Sequence, residues 1–404
     1  PSIECSRLGL VGLALPRVPL GGRWSGGGVS RIWARLAERA REAVMRRAVT
    51  TEDPTRWVME EYEATPPGAG EVLLRVRASG IWGSDLHSYR DESRWLSPEG
   101  GWQAGRTPGH EVAGEVAELG AGVAEMPGGL RVGQRVALQP RPFCGVCAEC
   151  RAGRTELCRR GPGLFGVQMP GGCSEYLTVP AENLFAVADD LDFAVAALAE
   201  PLAVAVHGHR VAAQLDSARP THGERVVVLG AGPIGLMSVF YAAQAGAEVA
   251  VTYRYPHQGE AATRLGAAHV FESDGGEEAE LREWAREHPV DLVMETVGGA
   301  AETPEVAIRV ARLGGRVLLL GVPAQQVRLP VQVIVTKQLR MAATIFYGYI
   351  GMQHDYEITT ALLNEHRDVL GSLVTHRVSL DEVAQGYATA ADKTSGAIKV
   401  SVQP

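Results

Sequence analysis

A glycine-rich turn between a strand-like run and a helix-like run constrains the fold of this chain more than any other feature. The turn follows the apolar run Arg225–Leu229 and consists of Gly230, Ala231, Gly232, Pro233, Ile234 and Gly235. In such a turn the first glycine allows a tight bend, the second lets a pyrophosphate approach the backbone, and the third lets the helix pack on the strand. The sequence therefore predicts a parallel βαβ unit that binds a dinucleotide through Gly230, Gly232, Pro233, Ile234 and Gly235.

The residues after the second predicted strand indicate which dinucleotide is bound. NAD-binding units of this kind carry an acidic residue there, which holds the ribose 2′-hydroxyl. Here the tip is Tyr253 followed by Arg254. Because no carboxylate repels a 2′-phosphate and Arg254 can pair with one, the sequence favours NADP(H) over NAD(H). The alternative is that Arg254 points into solvent and either cofactor binds weakly.

The length of the chain and the change in its hydrophobic pattern predict more than one domain. A chain of 404 residues is longer than a single hydrophobic core usually accommodates. From Met45 to about residue 195, short β-like runs alternate with glycine and proline turns, which predicts a partly open β-barrel. Beyond Gly223, apolar runs alternate with alanine-rich helical stretches, which is typical of an α/β doubly wound parallel sheet. We expect one domain at 45–197 and a second at 198–347. The remaining residues, 348–404, should return to the first domain, with a helix near 352–367 and strands at 374–378 and 397–400.

Residues 1–44 differ from the rest of the chain. They contain two glycine clusters, many arginines and little periodicity, although 31–39 has the pattern of a short basic amphipathic helix. A transit peptide is one explanation, since such peptides are rich in arginine and poor in acids. We favour the other explanation, a disordered or non-native extension, with Met45 opening the domain.

The amino-acid composition limits the classes of binding partner and the cellular compartment that we expect. The formal net charge of −8 argues against nucleic acid, and no apolar run is long enough to span a bilayer. Four of the six cysteines follow a Cys-x2-Cys-x2-Cys-x7-Cys spacing. Four thiolates satisfy the tetrahedral preference of zinc and leave no open position, so we expect one structural zinc per chain in a reducing cytoplasm. The predicted ligands are Cys144, Cys147, Cys150 and Cys158.

Three further segments, taken with the turn and the cysteines, resemble the zinc-containing medium-chain dehydrogenase/reductase superfamily, the alcohol dehydrogenase group. They are 80–87 (Gly-Ile-Trp-Gly-Ser-Asp-Leu-His), 109–111 (Gly-His-Glu) and 200–205 (Glu-Pro-Leu-Ala-Val-Ala). The resemblance covers about residues 45–404 and is closest to the polyol and threonine dehydrogenase branch. It implies a GroES-like β-barrel catalytic domain, a Rossmann domain with strand order 3-2-1-4-5-6, and a homodimer or homotetramer.

The resemblance also assigns candidate roles. Trp82 stands where the family has a cysteine ligand of the catalytic zinc. His110, Glu111 and Glu200 match the remaining ligands of the polyol-type members, and Ser84 and His87 match a proton relay. Those members tend to carry arginine where this chain has Phe346, which weakens a polyol assignment.

Trp82 leaves the chemistry of the reaction centre open. An indole cannot ligate zinc, because its ring nitrogen is only a donor. His110, Glu111 and Glu200 can still hold zinc, which would polarise a substrate oxygen. Without zinc, hydride can reach an already polarised acceptor, with a proton from His87, Glu111 or Ser84, and Trp82 would suit a planar apolar substrate.

Three hypotheses for the function follow. The first is an NAD(P)(H)-dependent oxidoreductase acting on an alcohol or carbonyl of a small molecule. The second is a zinc-free reductase of a polarised C=C or C=N bond. The third is a catalytically silent cofactor-binding protein. The presence of Ser84 and His87 together favours an enzyme.

Overall fold

The structure is a computed structural model, and it describes residues 44–90, 103–216, 222–273 and 278–404. Nearly all of the predicted extension, including the helical pattern at 31–39, lies outside these residues. The strands in chain order are β1 (Met45–Thr50), β2 (Trp57–Tyr62), β3 (Glu71–Gly80), β4 (Glu111–Leu119), β5 (Arg135–Leu138), β6 (Tyr176–Pro180), β7 (Leu184–Ala186), β8 (Arg225–Leu229), β9 (Glu248–Tyr253), β10 (His269–Glu272), β11 (Val290–Glu295), β12 (Ala311–Leu319), β13 (Arg340–Ala343), β14 (Tyr349–Ile350), β15 (Gln353–His354), β16 (Val374–Ser379) and β17 (Lys399–Gln403).

The helices join these strands and cover their sheets. In chain order they are α1 (Gly83–Tyr89), α2 (Ala148–Arg151), α3 (Phe193–Ala196), α4 (Ala199–Gln214), α5 (Pro233–Gln244), α6 (Pro256–Arg264), α7 (Ala279–Glu287), α8 (Thr303–Val310), α9 (Val331–Lys337), α10 (Asp355–Glu365), α11 (Arg367–Gly371) and α12 (Val383–Ala391). Each helix in the described ranges is too short or too polar to cross a membrane.

A six-stranded parallel sheet forms the second half of the molecule. Its order is β10-β9-β8-β11-β12-β13, which is the 3-2-1-4-5-6 order that the resemblance implies. The central strands β8 and β11 are mostly apolar and almost fully buried, because helices cover both faces of the sheet. The strand order reverses beside β8, and ligands bind at the carboxyl ends of the strands at such a point.

A seven-stranded sheet, mostly antiparallel, forms the first half. Its order is β16-β17-β3-β4-β5-β7, with β6 also paired to β3. The ten-residue strand β3 is its centre, since β4, β6 and β17 all pair with it. The fold class predicted from the sequence, a GroES-like β-barrel domain with a Rossmann sheet, is confirmed.

The end of the described chain returns to the first sheet. Strand β17 pairs with the last residues of β3, Ser401 opposite Gly80 and Val402 opposite Ser79. The predicted helix near 352–367 is divided into α10 and α11 at His366, whose φ of −112° and ψ of 31° are not helical. Helix α4 is buried along most of its length and contacts strands of both sheets, so one apolar element links the two halves.

Candidate functional site

The three glycines of the dinucleotide turn have different structural roles. Gly230 has a φ of +94°, and a Cβ there would lie 2.6 Å from Val297 Cγ2. A Cβ on Gly235 would overlap the carbonyl oxygen of Gly230 and lie 2.9 Å from its carbonyl carbon. A Cβ on Gly232, the N-cap of α5, meets nothing within 4 Å. The first and third glycines therefore fix the turn, whereas the second leaves open space at the helix N-terminus, where a pyrophosphate would be bound.

Arg254 lies at the carboxyl end of β9, beside this turn. Its backbone N–H donates to Gln258 Oε1 at 3.2 Å, and its guanidinium lies 5.9 Å from the centre of the Tyr255 ring. The Tyr253 ring packs on Gly259 of α6, since a Cβ on that glycine would lie 3.0 Å from the ring. Arg254 is exposed, so a charged group can approach its guanidinium.

Helix α1 carries the residues that match the proton relay. Trp82 is the N-cap, and its backbone N–H donates to Asp85 Oδ2 at 3.0 Å. Ser84 and His87 are three residues apart, so they share a face of the helix. A Cβ on Gly299, in the loop after β11, would lie 3.9 Å from His87 Cε1. The relay residues therefore lie where the first sheet domain faces the dinucleotide-binding sheet.

His110 lies against the ring of Trp82. The two ring centres are 5.6 Å apart in an edge-on arrangement, and His110 is buried. Its Nδ1 is 3.9 Å from Asp85 Oδ1 and has no hydrogen-bond partner within the described part of the chain. Burial, with a contribution from the charge of Lys399, lowers the pKa of His110 to about 3. The imidazole is therefore neutral at physiological pH.

Asp85 is buried beside His110. Burial raises its pKa to about 7, and the charge of Glu111 acts in the same direction, whereas the N–H of Trp82 and the charge of Lys399 oppose it. This residue is part of the family-like segment but was not among the predicted site residues.

Glu111 pairs with a cation from the chain itself. The ammonium of Lys399 forms an ion pair with Glu111 Oε1 and donates to the carbonyl of Ile81 at 3.0 Å. The ammonium also lies 5.3 Å from the centre of the Trp82 ring. Burial raises the pKa of Glu111, and Lys399 opposes that shift. Gly80 gives the carboxylate room, because a Cβ there would overlap Glu111 Oε2.

Glu200 lies in the first turn of α4. Its Oε1 accepts a hydrogen bond of 2.9 Å from the hydroxyl of Tyr347, and its buried Oε2 has no partner within the described residues. Burial, followed by the charge of Glu111, raises the pKa of Glu200 to about 8. The carboxyl group is therefore largely protonated at neutral pH.

The predicted ligands of a catalytic zinc do not converge as a zinc site. Among the described residues, the four cysteines form the one group of three or more potential ligands whose donor atoms all lie within 4.8 Å of one another. His110, Glu111 and Glu200 surround Trp82 and Lys399 but do not meet that condition. Zinc bound by nitrogen and oxygen needs ligand distances near 2.0–2.2 Å. In the positions that the structure describes, the donor atoms of these three side chains are therefore too far apart to share one zinc ion.

The cysteine group, in contrast, fits a tetrahedral ion. Cys144 Sγ and Cys147 Sγ each lie 4.0 Å from another sulfur of the group, and Cys147 Sγ is 3.4 Å from Cys150 Sγ. Four sulfurs at 2.3 Å from a zinc ion would be separated by about 3.8 Å. Backbone N–H groups of Cys144 and Cys147 also point at Cys158 Sγ and Cys144 Sγ, at 3.3 and 3.4 Å. The four cysteines could therefore bind a zinc with no open coordination position.

Besides Asp85, sequence reasoning missed two functional candidates, Lys399 and Tyr347. Tyr347 lies beside Phe346, and its contact with Glu200 spans 147 residues of chain. One indication of Lys399 was present in the sequence, because it is one of only three lysines in 404 residues; it begins a strand whose first four residues are buried.

Comparisons with known proteins agree with this fold. Residues 68–189 match the model of the alcohol dehydrogenase GroES-like domain, and residues 233–365 match that of the zinc-binding dehydrogenases. An L-threonine 3-dehydrogenase of Chelativorans sp. (strain BNC1) is 32% identical over 347 residues, which are 84% of this chain and 94% of that protein.

Two solved structures share the whole fold. A zinc-binding dehydrogenase from Sinorhizobium meliloti 1021, bound to NADP, superposes with a TM-score of 0.77 at 28% identity, covering 90% of this chain and 100% of its own. An alcohol dehydrogenase from Escherichia coli CFT073, complexed with NADH, gives 0.76 at 25% identity and the same coverage. The chain therefore belongs to the zinc-type alcohol dehydrogenase family of medium-chain dehydrogenases, and it is an NAD(P)-dependent oxidoreductase.

Proposed function

We propose that this enzyme transfers hydride between NADP(H) and a small-molecule carbonyl or alcohol, at the face between α1 and the loop after β11. The observation that carries the proposal is the juxtaposition of two features. The open N-terminus of α5 at Gly232 suits a pyrophosphate, and His87 of α1 lies near Gly299. Both glycines follow the carboxyl ends of neighbouring parallel strands, β8 and β11. This geometry makes a catalytically silent protein the weaker hypothesis.

The nicotinamide, when bound, supplies or accepts the hydride. The residues of the chain move the accompanying proton. In the direction of reduction, the substrate carbon gains the hydride and the substrate oxygen gains a proton from Ser84, which His87 replaces from solvent. Ser84 is buried and His87 is half-buried on the same helix face, which suits a path from the interior to water.

The preference for NADP(H) rests on Arg254 alone. The exposed guanidinium can form charge-assisted hydrogen bonds to a 2′-phosphate, and the strand tip before it carries no acid. The two structural neighbours carry NADP in one case and NADH in the other, so they do not decide between the cofactors.

We further propose one structural zinc per chain, held by Cys144, Cys147, Cys150 and Cys158. Its role is to fix a polar loop that has little core of its own. Cysteines used as metal ligands, not as disulfides, suit a cytoplasmic enzyme. We also propose the domain boundaries that the sequence predicts, which lie after residues 44, 197 and 347.

A homodimer or homotetramer is supported by one surface. Helix α9 leaves Val331 and Val335 63% and 67% exposed, and the neighbouring strand β13 lies at the edge of its sheet in the described structure. A second copy that pairs with this edge would cover the exposed valines.

A zinc-free reductase of a polarised C=C or C=N bond is the second candidate function. The ion pair of Lys399 with Glu111 and the position of Trp82 favour it, because neither offers a Lewis acid to the substrate oxygen. An acceptor that is already polarised needs only the hydride and the proton.

Nucleotide binding and turnover test the proposed function separately. NADPH and NADH are titrated by fluorescence against the wild type, Arg254→Ala and the control Arg264→Ala, an exposed arginine in the last turn of α6. We expect tighter binding of NADPH, reduced about 10- to 100-fold in Arg254→Ala only, because hydrogen bonds to charged groups contribute about 1.5–3 kcal/mol. Equal loss in both variants would refute the role of Arg254.

The chemistry is then tested with a panel of ketones, aldehydes and conjugated enones, by following the loss of NADPH absorbance. We expect His87→Ala to lower kcat by about 10²- to 10⁴-fold with unchanged NADPH affinity, as for loss of a general acid. His257→Ala, on α6, is the matched control. Binding of NADPH without turnover of any class of acceptor would favour the silent alternative.

A further inference from the structure

We propose that the centre behind Trp82 is zinc-free and that the ammonium of Lys399 is its permanent cation. The proposal concerns the centre assigned above to hydride transfer, but it is tested by metal content and does not depend on turnover.

Lys399 is held by three different groups that each favour a positive charge. Its ammonium pairs with Glu111 Oε1, donates to the carbonyl of Ile81 at 3.0 Å and lies 5.3 Å from the centre of the Trp82 ring. Carboxylate, carbonyl and indole face are all favourable partners of an ammonium. The side chain is 2% exposed, so these contacts replace water almost completely. Lys399 is therefore a buried part of the centre and not a surface residue.

The same contacts exclude a zinc ion from this centre. Of the three remaining candidate ligands, Glu111 is already neutralised by Lys399, and a dication beside that ammonium would be repelled. Trp82, which stands in the sequence where the family has the fourth ligand, packs edge-on against His110. Trp82, which replaces the family's cysteine ligand, and Lys399, which supplies the positive charge, are thus in contact with each other.

The pairing of Trp82 with Lys399 has a consequence for restoring a metal site. A cysteine at position 82 supplies a thiolate, but Glu111 stays bound to Lys399. We therefore expect Trp82→Cys alone to remain without a second zinc. Removing Lys399 as well frees the carboxylate, which then has a histidine and a thiolate beside it, a set that zinc accepts.

Counting zinc in the full-length wild-type protein is the first test. We expect about one zinc per chain, and an organomercurial that titrates thiolates should release all of it, since among the described residues the cysteine group is the one whose donor atoms lie close enough to hold a metal. A second zinc that survives thiolate titration and disappears in His110→Ala would overturn the proposal.

Cobalt(II) binding to three variants is the second test. Trp82→Cys and the control Trp82→Cys/Lys399→Arg should hold the same amount of cobalt as the wild type, because both keep a cation on Glu111. Trp82→Cys/Lys399→Met should bind about one cobalt more per chain and show an additional absorption band.

Extra cobalt in Trp82→Cys alone would contradict the exclusion by Lys399. A folded Trp82→Cys/Lys399→Met variant without extra cobalt would contradict it equally. If that variant does not fold, the wild-type zinc count and the Trp82→Cys variant still decide.

Discussion

Alanine substitution at two glycines of the same turn should separate cofactor binding from stability. At Gly232 a Cβ meets nothing within 4 Å, so the protein should fold normally. Because Gly232 is an N-cap, the cost of alanine there is small, about a few tenths to 1 kcal/mol. The added methyl group fills the space that a pyrophosphate would occupy. We therefore expect Gly232→Ala to bind NADPH at least about 10-fold more weakly, which corresponds to about 1.4 kcal/mol.

Gly235→Ala should behave differently. A Cβ there would overlap the carbonyl oxygen of Gly230, lie 2.9 Å from its carbonyl carbon and lie 2.9 Å from Thr296 Oγ1. Two of these three atoms belong to the backbone, so the strand and helix must move apart. Overpacking of this kind costs about 1–3 kcal/mol of stability.

The assay measures denaturant midpoints and NADPH fluorescence titrations on both variants and the wild type. The result expected is an almost unchanged midpoint with weak binding for Gly232→Ala, and a lowered midpoint for Gly235→Ala. Wild-type affinity in Gly232→Ala would refute the assignment of the pyrophosphate to α5. A wild-type midpoint in Gly235→Ala would refute the close approach of helix and strand.

Two further predictions concern buried polar groups. Burial lowers the pKa of His354 and of His209 to about 4, from an ordinary value of 6.5, so each is neutral when folded and binds a proton more readily when unfolded. The contribution of each histidine to stability should therefore be complete above pH 6.5 and be lost as the pH drops towards 4, by about 1.4 kcal/mol per pH unit. The raised pKa values of Asp85 and Glu200 act in the opposite direction, so the contribution of His354 is measured as the difference in denaturant midpoint between the wild type and His354→Asn, which keeps an N-cap acceptor for α10. That difference should change between pH 6.5 and pH 4. Tyr347→Phe removes the hydroxyl that donates to Glu200 and should destabilise the protein by about 1–3 kcal/mol. Thermal unfolding measures this at a pH well below 8, where the Glu200 carboxyl group is protonated. An unchanged melting temperature would show that another group replaces the hydrogen bond.

Local patterns were sufficient for the parts of the fold and site that sequence analysis predicted. The turn at 230–235 and the alternation of apolar runs predicted the parallel sheet, because each signal lies within about ten residues of chain. The spacing of the four cysteines likewise indicated one metal group, and their sulfurs do lie together.

The contacts that sequence analysis missed join distant parts of the chain. Lys399 and Glu111 are 288 residues apart, and they meet because β17 pairs with β3 and β3 with β4. Nothing in the local pattern gives that register, so the sequence could show that a ligand is replaced at Trp82 but not that Lys399 lies beside it. The ligand set of His110, Glu111 and Glu200 stays a prediction for the same reason.

The pairing of β17 with β3 also has a consequence for how the chain folds. Until β17 pairs with β3, the end of β3 at Ser79 and Gly80 has an unpaired edge, and such edges readily pair with other chains. Contacts between segments so far apart in sequence form slowly, because the intervening chain must be ordered first. Refolding at high protein concentration should therefore lose material to aggregation at the stage before β17 pairs, and a peptide with the sequence of β17 should intercept that species.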